Sequence, residues 1–464
     1  MRVLASAIVT VLCLLHSAFA ADTTLTPLQQ LAHDIYKELI EIDTTHSTGS
    51  TTRAAEAVAK RLQTAGFKAN EIQIIGPTPT KGNLVVRLRG TGAKKPLLLL
   101  AHLDVVEAKR EDWSVDPFVL TEQDGFYYGR GTLDDKAMAA IFTTIMMQMK
   151  AQGVKPERDV ILALTADEEG GPDNGVDWLL KNHRDLVDAE VVINEGGGGR
   201  ISNGKYVLNG VQASEKTYTT FQFEVKDKGG HSSLPTKDNP IYRLADGLGR
   251  LERYEFPVQL NDVTRAYFER NAKIESGQTA ADMAAIAKNP ADRAAAARLS
   301  ATPLFNAMLR TTCVATRLEG GHADNALPQT ARAIVNCRIM PGESAEQVQR
   351  TLEQVLADPK IVVTVTEPAV ASAASPLDPA VMKPVAETSE QMWPGVPVVP
   401  SMSTGATDSR YFRNAGIAAY GVSGMFVDMD DMRAHGKDER LGVKQFYEAQ
   451  DFLTRLVPAL AGTQ

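Results

Sequence analysis

Leu97-Leu98-Leu99-Leu100-Ala101-His102-Leu103-Asp104-Val105-Val106 begins as an unbroken apolar run and closes on a histidine and an aspartate two residues apart. A run of this length suits a strand buried on both faces and is short for a helix. Strands buried on both faces belong to parallel sheets, whose sites lie beyond the carboxyl ends of the strands. His102 and Asp104 fall at that end. Taken alone, the pair reads equally as a metal ligand with an orienting carboxylate or as a satisfied histidine beside a helix-capping aspartate.

Two later segments have the same form. Asp159 to Thr165 is apolar for most of its length and ends in Ala166-Asp167-Glu168-Glu169-Gly170-Gly171. Consecutive acids repel one another unless a cation is near. Ala189 to Asn194 ends in Glu195 and four glycines. Between the first two strands lies Gly129-Arg130-Gly131-Thr132-Leu133-Asp134-Asp135-Lys136, directly before a helical run from Ala137 to Met149. A helix N-terminus favours a carboxylate, but capping accounts for one of the two aspartates, so the other is expected to face a site. Strands alternating with helices at this spacing predict a parallel α/β sheet.

The rest of the chain sets the bounds. Its 464 residues are 44% hydrophobic and 23% charged, an ordinary globular composition. That length suggests two domains, or one large domain carrying an insertion. The net charge of -8 argues against nucleic acid as the main partner. After the N-terminus no apolar run approaches the ~20 residues needed to span a bilayer. Residues 1–20 read as an export signal: Arg2 is the basic start, Val3 to Leu15 the apolar core, and Ala18-Phe19-Ala20 the cleavage site. Export to the periplasm or medium is therefore expected. Cys313 and Cys337 are the two cysteines that would remain. They lie in neighbouring strand-like runs, and a disulfide or two buried thiols are both open.

Amphipathic helices are predicted at Thr26 to Ile42 and Thr51 to Ala65. The pattern changes after about Val211. A strand at Lys216 to Lys228, a helix at Pro240 to Leu251, strands at Thr311 to Leu318 and Ala331 to Met340, a helix at Ser344 to Leu356 and a strand at Ile361 to Thr366 follow in order. Leaving aside an Ala-rich helical stretch from Phe256 to about Arg310, that is the split β-α-β-β-α-β pattern of a ferredoxin-like unit. Residues 21–212 and 371–464 are thus expected to form an α/β catalytic domain, a mostly parallel sheet with helices on both faces. Residues 213–370 are expected to form an inserted α+β domain. A closing helix is predicted from Val443 to Leu456.

Five signatures in order, His-Leu-Asp, Gly-Arg-Gly-x-x-Asp-Asp-Lys, Asp-Glu-Glu-Gly, Asn-Glu-Gly-Gly and a late Ala-His-Gly, resemble the zinc-dependent metallopeptidase family that includes aminoacylase, carnosinase, glutamate carboxypeptidase and succinyl-diaminopimelate desuccinylase. The resemblance covers nearly the whole chain after the signal segment. It implies two zinc ions per subunit, one held by His102 and Glu195, the other by Glu169 and His435, with Asp134 bridging. Nitrogen and oxygen ligands suit catalytic rather than structural zinc. It also implies a cis peptide after Asp134. Glu168 would be the general base acting on a water between the metals, and Asp104 would orient His102. His231 would reach a partner subunit's site and stabilise the oxyanion. Asn325, Gly405 and Arg410 would bind substrate, Arg410 by gripping a carboxylate. The implied function is hydrolysis of amide bonds in small peptides by an exopeptidase of carboxypeptidase or dipeptidase type. The alternative is deacylation of N-acyl amino acids. A metal-dependent binding protein is disfavoured, because Glu168 would then have no task. The inserted domain would serve as lid and homodimer contact.

Overall fold

The computed structural model describes residues 25–367 and 369–463. The export signal expected at residues 1–20 lies outside them. Among the described residues, no helix is long and apolar enough to cross a membrane.

The four-leucine run is the middle of a strand, Lys94–His102. Side chains alternate across a strand, so Leu97 and Leu99 enter one apolar cluster and Leu98 and Leu100 another, on the opposite face. All four are fully buried. Burial on both faces explains why the run is continuous rather than alternating. Parallel neighbours flank it: Arg158–Thr165 on one side and Val191–Asn194 on the other, followed by Ala418–Gly421. Antiparallel strands extend the ten-stranded sheet at one edge, Asn83–Leu88 and then Ile72–Ile75. At the other, Val398–Ser403 lies parallel to the long strand Lys205–Glu215, which pairs antiparallel with Gly198–Ser202.

Helices cover both faces. Pro27–Ile40, Thr51–Thr64, Lys136–Ala151 and Val443–Ala461 supply one apolar cluster, and Gly175–Asn182 with Ser409–Asn414 supply the other. Pro27–Ile40 starts where a Thr26 capping box satisfies its first amides. The last helix runs past the expected end at Leu456 to Ala461, because Val457, Leu460 and Ala461 still face the core.

A separate four-stranded sheet has the order Thr312–Gly320, Thr330–Ile339, Thr217–Lys226, Val362–Glu367, antiparallel throughout. Pro240–Arg253 and Ala345–Leu356 pack on one face of it. The Ala-rich stretch forms four helices, Asp262–Asn271, Gly277–Lys288, Arg293–Ser300 and Pro303–Leu309. Their apolar cluster includes Met340, at the end of the small sheet, and Met402, from the large one. Cys313 and Cys337 face each other across neighbouring strands and are joined by a disulfide.

Candidate metal centre

Register alone brings the first groups together. His102 ends its strand beside Thr165, the last residue of the neighbouring strand. Glu168 and Glu169 follow Thr165, and Glu195 follows the parallel strand ending at Asn194. Asp134 comes from the loop before the helix Lys136–Ala151, after a cis peptide between Asp134 and Asp135. Asp135 takes the N-cap position of that helix without a side-chain capping bond. His435 comes from a loop more than two hundred residues beyond Glu195 in sequence and has a positive φ of 62°.

Two triads result, His102 with Asp134 and Glu195, and Asp134 with Glu169 and His435. They share Asp134, whose Oδ1 lies 2.9 Å from Nε2 of His102 and whose Oδ2 lies 3.2 Å from Nε2 of His435. His435 Nε2 is also 2.9 Å from Glu169, and His102 Nε2 is 4.0 Å from Glu195.

The protonation chemistry of these groups fits divalent cations. His102 places Nδ1 3.0 Å from the Asp104 carbonyl and Nε2 against the Asp134 carboxylate, so in a buried ring both nitrogens must donate. Only an imidazolium does that, unless a cation replaces the Nε2 proton. Despite burial, the Asp134 hydrogen bond and the surrounding carboxylates raise the His102 pKa well above its ordinary value. His435 is raised to about 10 by Asp134 and Glu169. Burial and then neighbouring carboxylates push Glu168 and Glu195 well up as well, the first facing Asp408 and the second Asp134. Five carboxylates, of Asp134, Glu168, Glu169, Glu195 and Asp408, and two imidazoles gathered here carry an excess of negative charge that divalent cations would balance, and nitrogen and oxygen donors of this kind suit zinc and its neighbours.

The carboxylate of Asp104 does not do what the sequence suggested. It lies 3.7 Å from Nδ1 of His102, which meets the backbone carbonyl of Asp104 instead. Its two oxygens accept the backbone N–H groups of Glu168 and Glu169, at 3.1 and 3.0 Å. The backbone orients the histidine, and the side chain shapes the turn that carries the two glutamates.

Asp134, Glu168, Glu169, Glu195 and His435 open onto one cavity of about 600 Å³. Gly405 and Arg410 line it too. Arg410 stacks on Tyr411, and its buried Nε has no hydrogen-bond partner among the described residues. His231 and Asn325 do not line this cavity. They are exposed and adjacent, the short strand Gly230–His231 pairing with Ala326–Leu327.

Three contributors went unread in the sequence. Arg338, on the small sheet, lines the cavity with Arg410 and stacks on Tyr218 directly across the strand pair. Its place in the strand Thr330–Ile339, one residue after buried Cys337, puts it on the opposite face from the core. Arg130 and Glu439 form a buried pair at 2.6 Å. Glu439 also accepts the amides of Leu133 and Asp134, while Arg130 donates to the carbonyl of Gly436. The pair therefore ties the Asp134 loop to the His435 loop. Buried Lys81 pairs with Asp167, the positive-φ residue before Glu168.

The sequence model of peptidase family M20/M25/M40 matches residues 98–459. The human N-fatty-acyl-amino acid synthase/hydrolase PM20D1 is 29% identical over 374 residues, 78% of this chain and 74% of its own. A succinyl-diaminopimelate desuccinylase from Delftia acidovorans is 35% identical over 207 residues, 42% of this chain and 51% of its own. Among solved structures, an M20 family metallo-carboxypeptidase from Sulfolobus solfataricus superposes with a TM-score of 0.69 at 19% identity, covering 93% of this chain and 99% of that one. Human carnosine dipeptidase 1 gives 0.62 at 16% identity, covering 93% and 97%.

Proposed function

The chain belongs to peptidase family M20/M25/M40 and is a metal-dependent hydrolase, and from that premise we propose an exported dinuclear zinc enzyme that cleaves the amide bond of small substrates ending in a free carboxylate. The observation that carries this reading is the pair of triads sharing Asp134, with Glu168 beside them and two arginines on the same cavity.

His102 and Glu195 would hold one metal, Glu169 and His435 the other, and Asp134 both. The metal pair, when bound, supplies the positive charge that polarises the scissile carbonyl and the attacking water. Glu168 takes the proton from that water and passes it to the leaving amine. Its burial and acidic surroundings raise its pKa and so strengthen it as the base for the first of these transfers. Arg410 and Arg338 receive the substrate carboxylate, since a guanidinium fork matches its geometry. Gly405 leaves the backbone open to close approach. His231, with Asn325, serves the site of a second copy, docked through the small-sheet domain, and stabilises the oxyanion there.

The first reading is an exopeptidase of carboxypeptidase or dipeptidase type acting on short peptides. Deacylation of N-acyl amino acids is the second, favoured by the names of the human and Delftia relatives. A panel of dipeptides and N-acyl amino acids, assayed with and without chelator, tests both. Activity on one class that vanishes with chelator and returns with zinc is expected. Glu168→Ala should bind the same two metals per subunit and lose on the order of 10²–10⁴ in kcat. Full activity of that variant with metal bound would remove Glu168 from the mechanism.

A further inference from the structure

The turn that carries Glu168 is held from outside, mostly by its backbone. The Asp104 carboxylate accepts the amides of Glu168 and Glu169, and Nδ2 of Asn174 donates to the carbonyl of Asp167 at 3.2 Å. One further bond ends on a side chain: Nζ of Lys81 donates to Oδ1 of Asp167. Both partners are buried, with 8% of the Lys81 side chain exposed and 1% of that of Asp167. Lys81 comes from the loop before the strand Asn83–Leu88, and Asp167 directly precedes Glu168.

Asp167 needs such a hold. Its φ is 56°, in the left-handed region that residues other than glycine rarely occupy. A conformation of that kind persists where the surroundings over-determine it. The chain beyond gives little support, since Gly170 and Gly171 follow the two glutamates, both at positive φ. Gly171 also lines the cavity, and a Cβ on it would lie 2.6 Å from Oδ2 of Asp167. Glycine there lets the ion pair sit directly behind the cavity wall. His46, whose side chain is 58% exposed, places Nδ1 3.4 Å from Nζ of Lys81.

We propose that Lys81 is a positioning residue for the hydrolysis: by pairing with Asp167 it fixes the left-handed turn at that residue and so aims the Glu168 carboxylate at the attacking water. This rests on the assignment of Glu168 as the general base. The φ of residue 167 sets the direction in which Glu168 leaves the strand Arg158–Thr165. A rotation there displaces Glu168, while His102, Asp134, Glu195 and His435 stand on other segments. Glu169 is one residue further on, and its own amide is held by Asp104. Methionine at position 81 would leave the buried Asp167 carboxylate without its countercharge and free the turn to relax.

The test compares Lys81→Met, Lys81→Arg, Glu168→Ala and the Lys81→Met/Glu168→Ala double variant. Each is assayed as the full chain with zinc, on a dipeptide or N-acyl amino acid that the unmodified chain hydrolyses. Lys81→Met should lower kcat by on the order of 10–10², the effect of misplacing a reacting group by about 1 Å. Its KM and zinc content should match the unmodified chain. Lys81→Arg keeps the cation and should recover most of kcat. Added to Glu168→Ala, Lys81→Met should have no further effect, because a residue that acts through Glu168 then has nothing to act on. Should Lys81→Met fail to fold, Asp167→Asn replaces it: asparagine keeps the shape and tolerates the left-handed backbone but loses the charge, and kcat should again fall. Unchanged kcat per folded, zinc-loaded molecule in these variants, with only a lower unfolding midpoint, overturns the proposal. So does the same loss from Lys81→Met with and without Glu168, or a fall in zinc content, which would place its action on Glu169. These outcomes leave the base assignment intact, whereas full activity of Glu168→Ala overturns both.

Discussion

Glu439 shows how much a residue outside every motif can decide. Its carboxylate is 1% exposed, and it holds Arg130 with one oxygen and the amides of Leu133 and Asp134 with the other. Arg130 lies over the ring of Trp113 and reaches the His435 loop through the Gly436 carbonyl. Breaking a buried ion pair leaves an uncompensated charge and costs ~3–5 kcal/mol. Glu439→Gln keeps the acceptor for the two amides and strands the guanidinium. Its midpoint of unfolding should fall accordingly, and zinc should bind more weakly because the two ligand loops lose their tie. Zinc titration at wild-type affinity would show that the pair supports the fold and not the centre. His102 and Asp104 teach a related lesson. The spacing His-x-Asp reads as an imidazole–carboxylate pair, yet the backbone carbonyl of Asp104 is the nearer acceptor. Two-residue spacing at a strand end says that the groups are close, and not which atoms meet.

Elements decide where strain and charge fall at the junction of the two sheets. Lys216 separates the long strand Lys205–Glu215 from the strand Thr217–Lys226 of the small sheet. It is buried, with Nζ 2.6 Å from the carbonyl of Arg310. Burial, aided by Arg338, lowers its pKa from 10.5 to about 7. A lysine lowered in the fold is charged in the unfolded chain across that interval and neutral in the native one. Unfolding then takes up a proton, so stability rises with pH. The cost of burying the charge is fully present below about pH 7 and is relieved as pH climbs toward 10. The stability of wild type relative to Lys216→Met should therefore rise by about 1.4 kcal/mol per pH unit in that window. Denaturant titrations at a series of pH values measure it, and a constant difference would mean that Lys216 stays charged. In the same small sheet, the disulfide closes a loop with a sequence separation of 24 between Cys313 and Cys337. Replacing both by serine should cost about 3.5 kcal/mol by the loop-closure relation. An unchanged unfolding midpoint under non-reducing conditions would show that sheet pairing alone holds these strands.

On the scale of the whole molecule, the role proposed for the exposed pair of His231 and Asn325 requires a second copy. If His231 serves its partner's site, Glu168→Ala and His231→Ala chains should each be nearly inactive. Mixed and allowed to exchange, they should regain about a quarter of wild-type activity, since half the dimers are mixed and one site in each is whole. No recovery after proven exchange would reject the trans arrangement. The sequence by itself determined a good deal. The apolar run ending in His102 placed a buried parallel strand. The acids after the neighbouring strands placed a cationic site at their carboxyl ends. The order of elements from Lys216 to Thr366 placed the small sheet. All of these are local patterns, a period of two or a polarity change at a strand end, and a linear chain carries them openly. Tertiary structure alone decided the rest. It set the Arg130–Glu439 tie, the placing of Arg338 and Arg410 on one cavity, and the helical cluster that spans both sheets through Met340 and Met402. Each of these joins residues far apart in sequence, and what makes them neighbours is the packing of whole elements, which no spacing along the chain expresses.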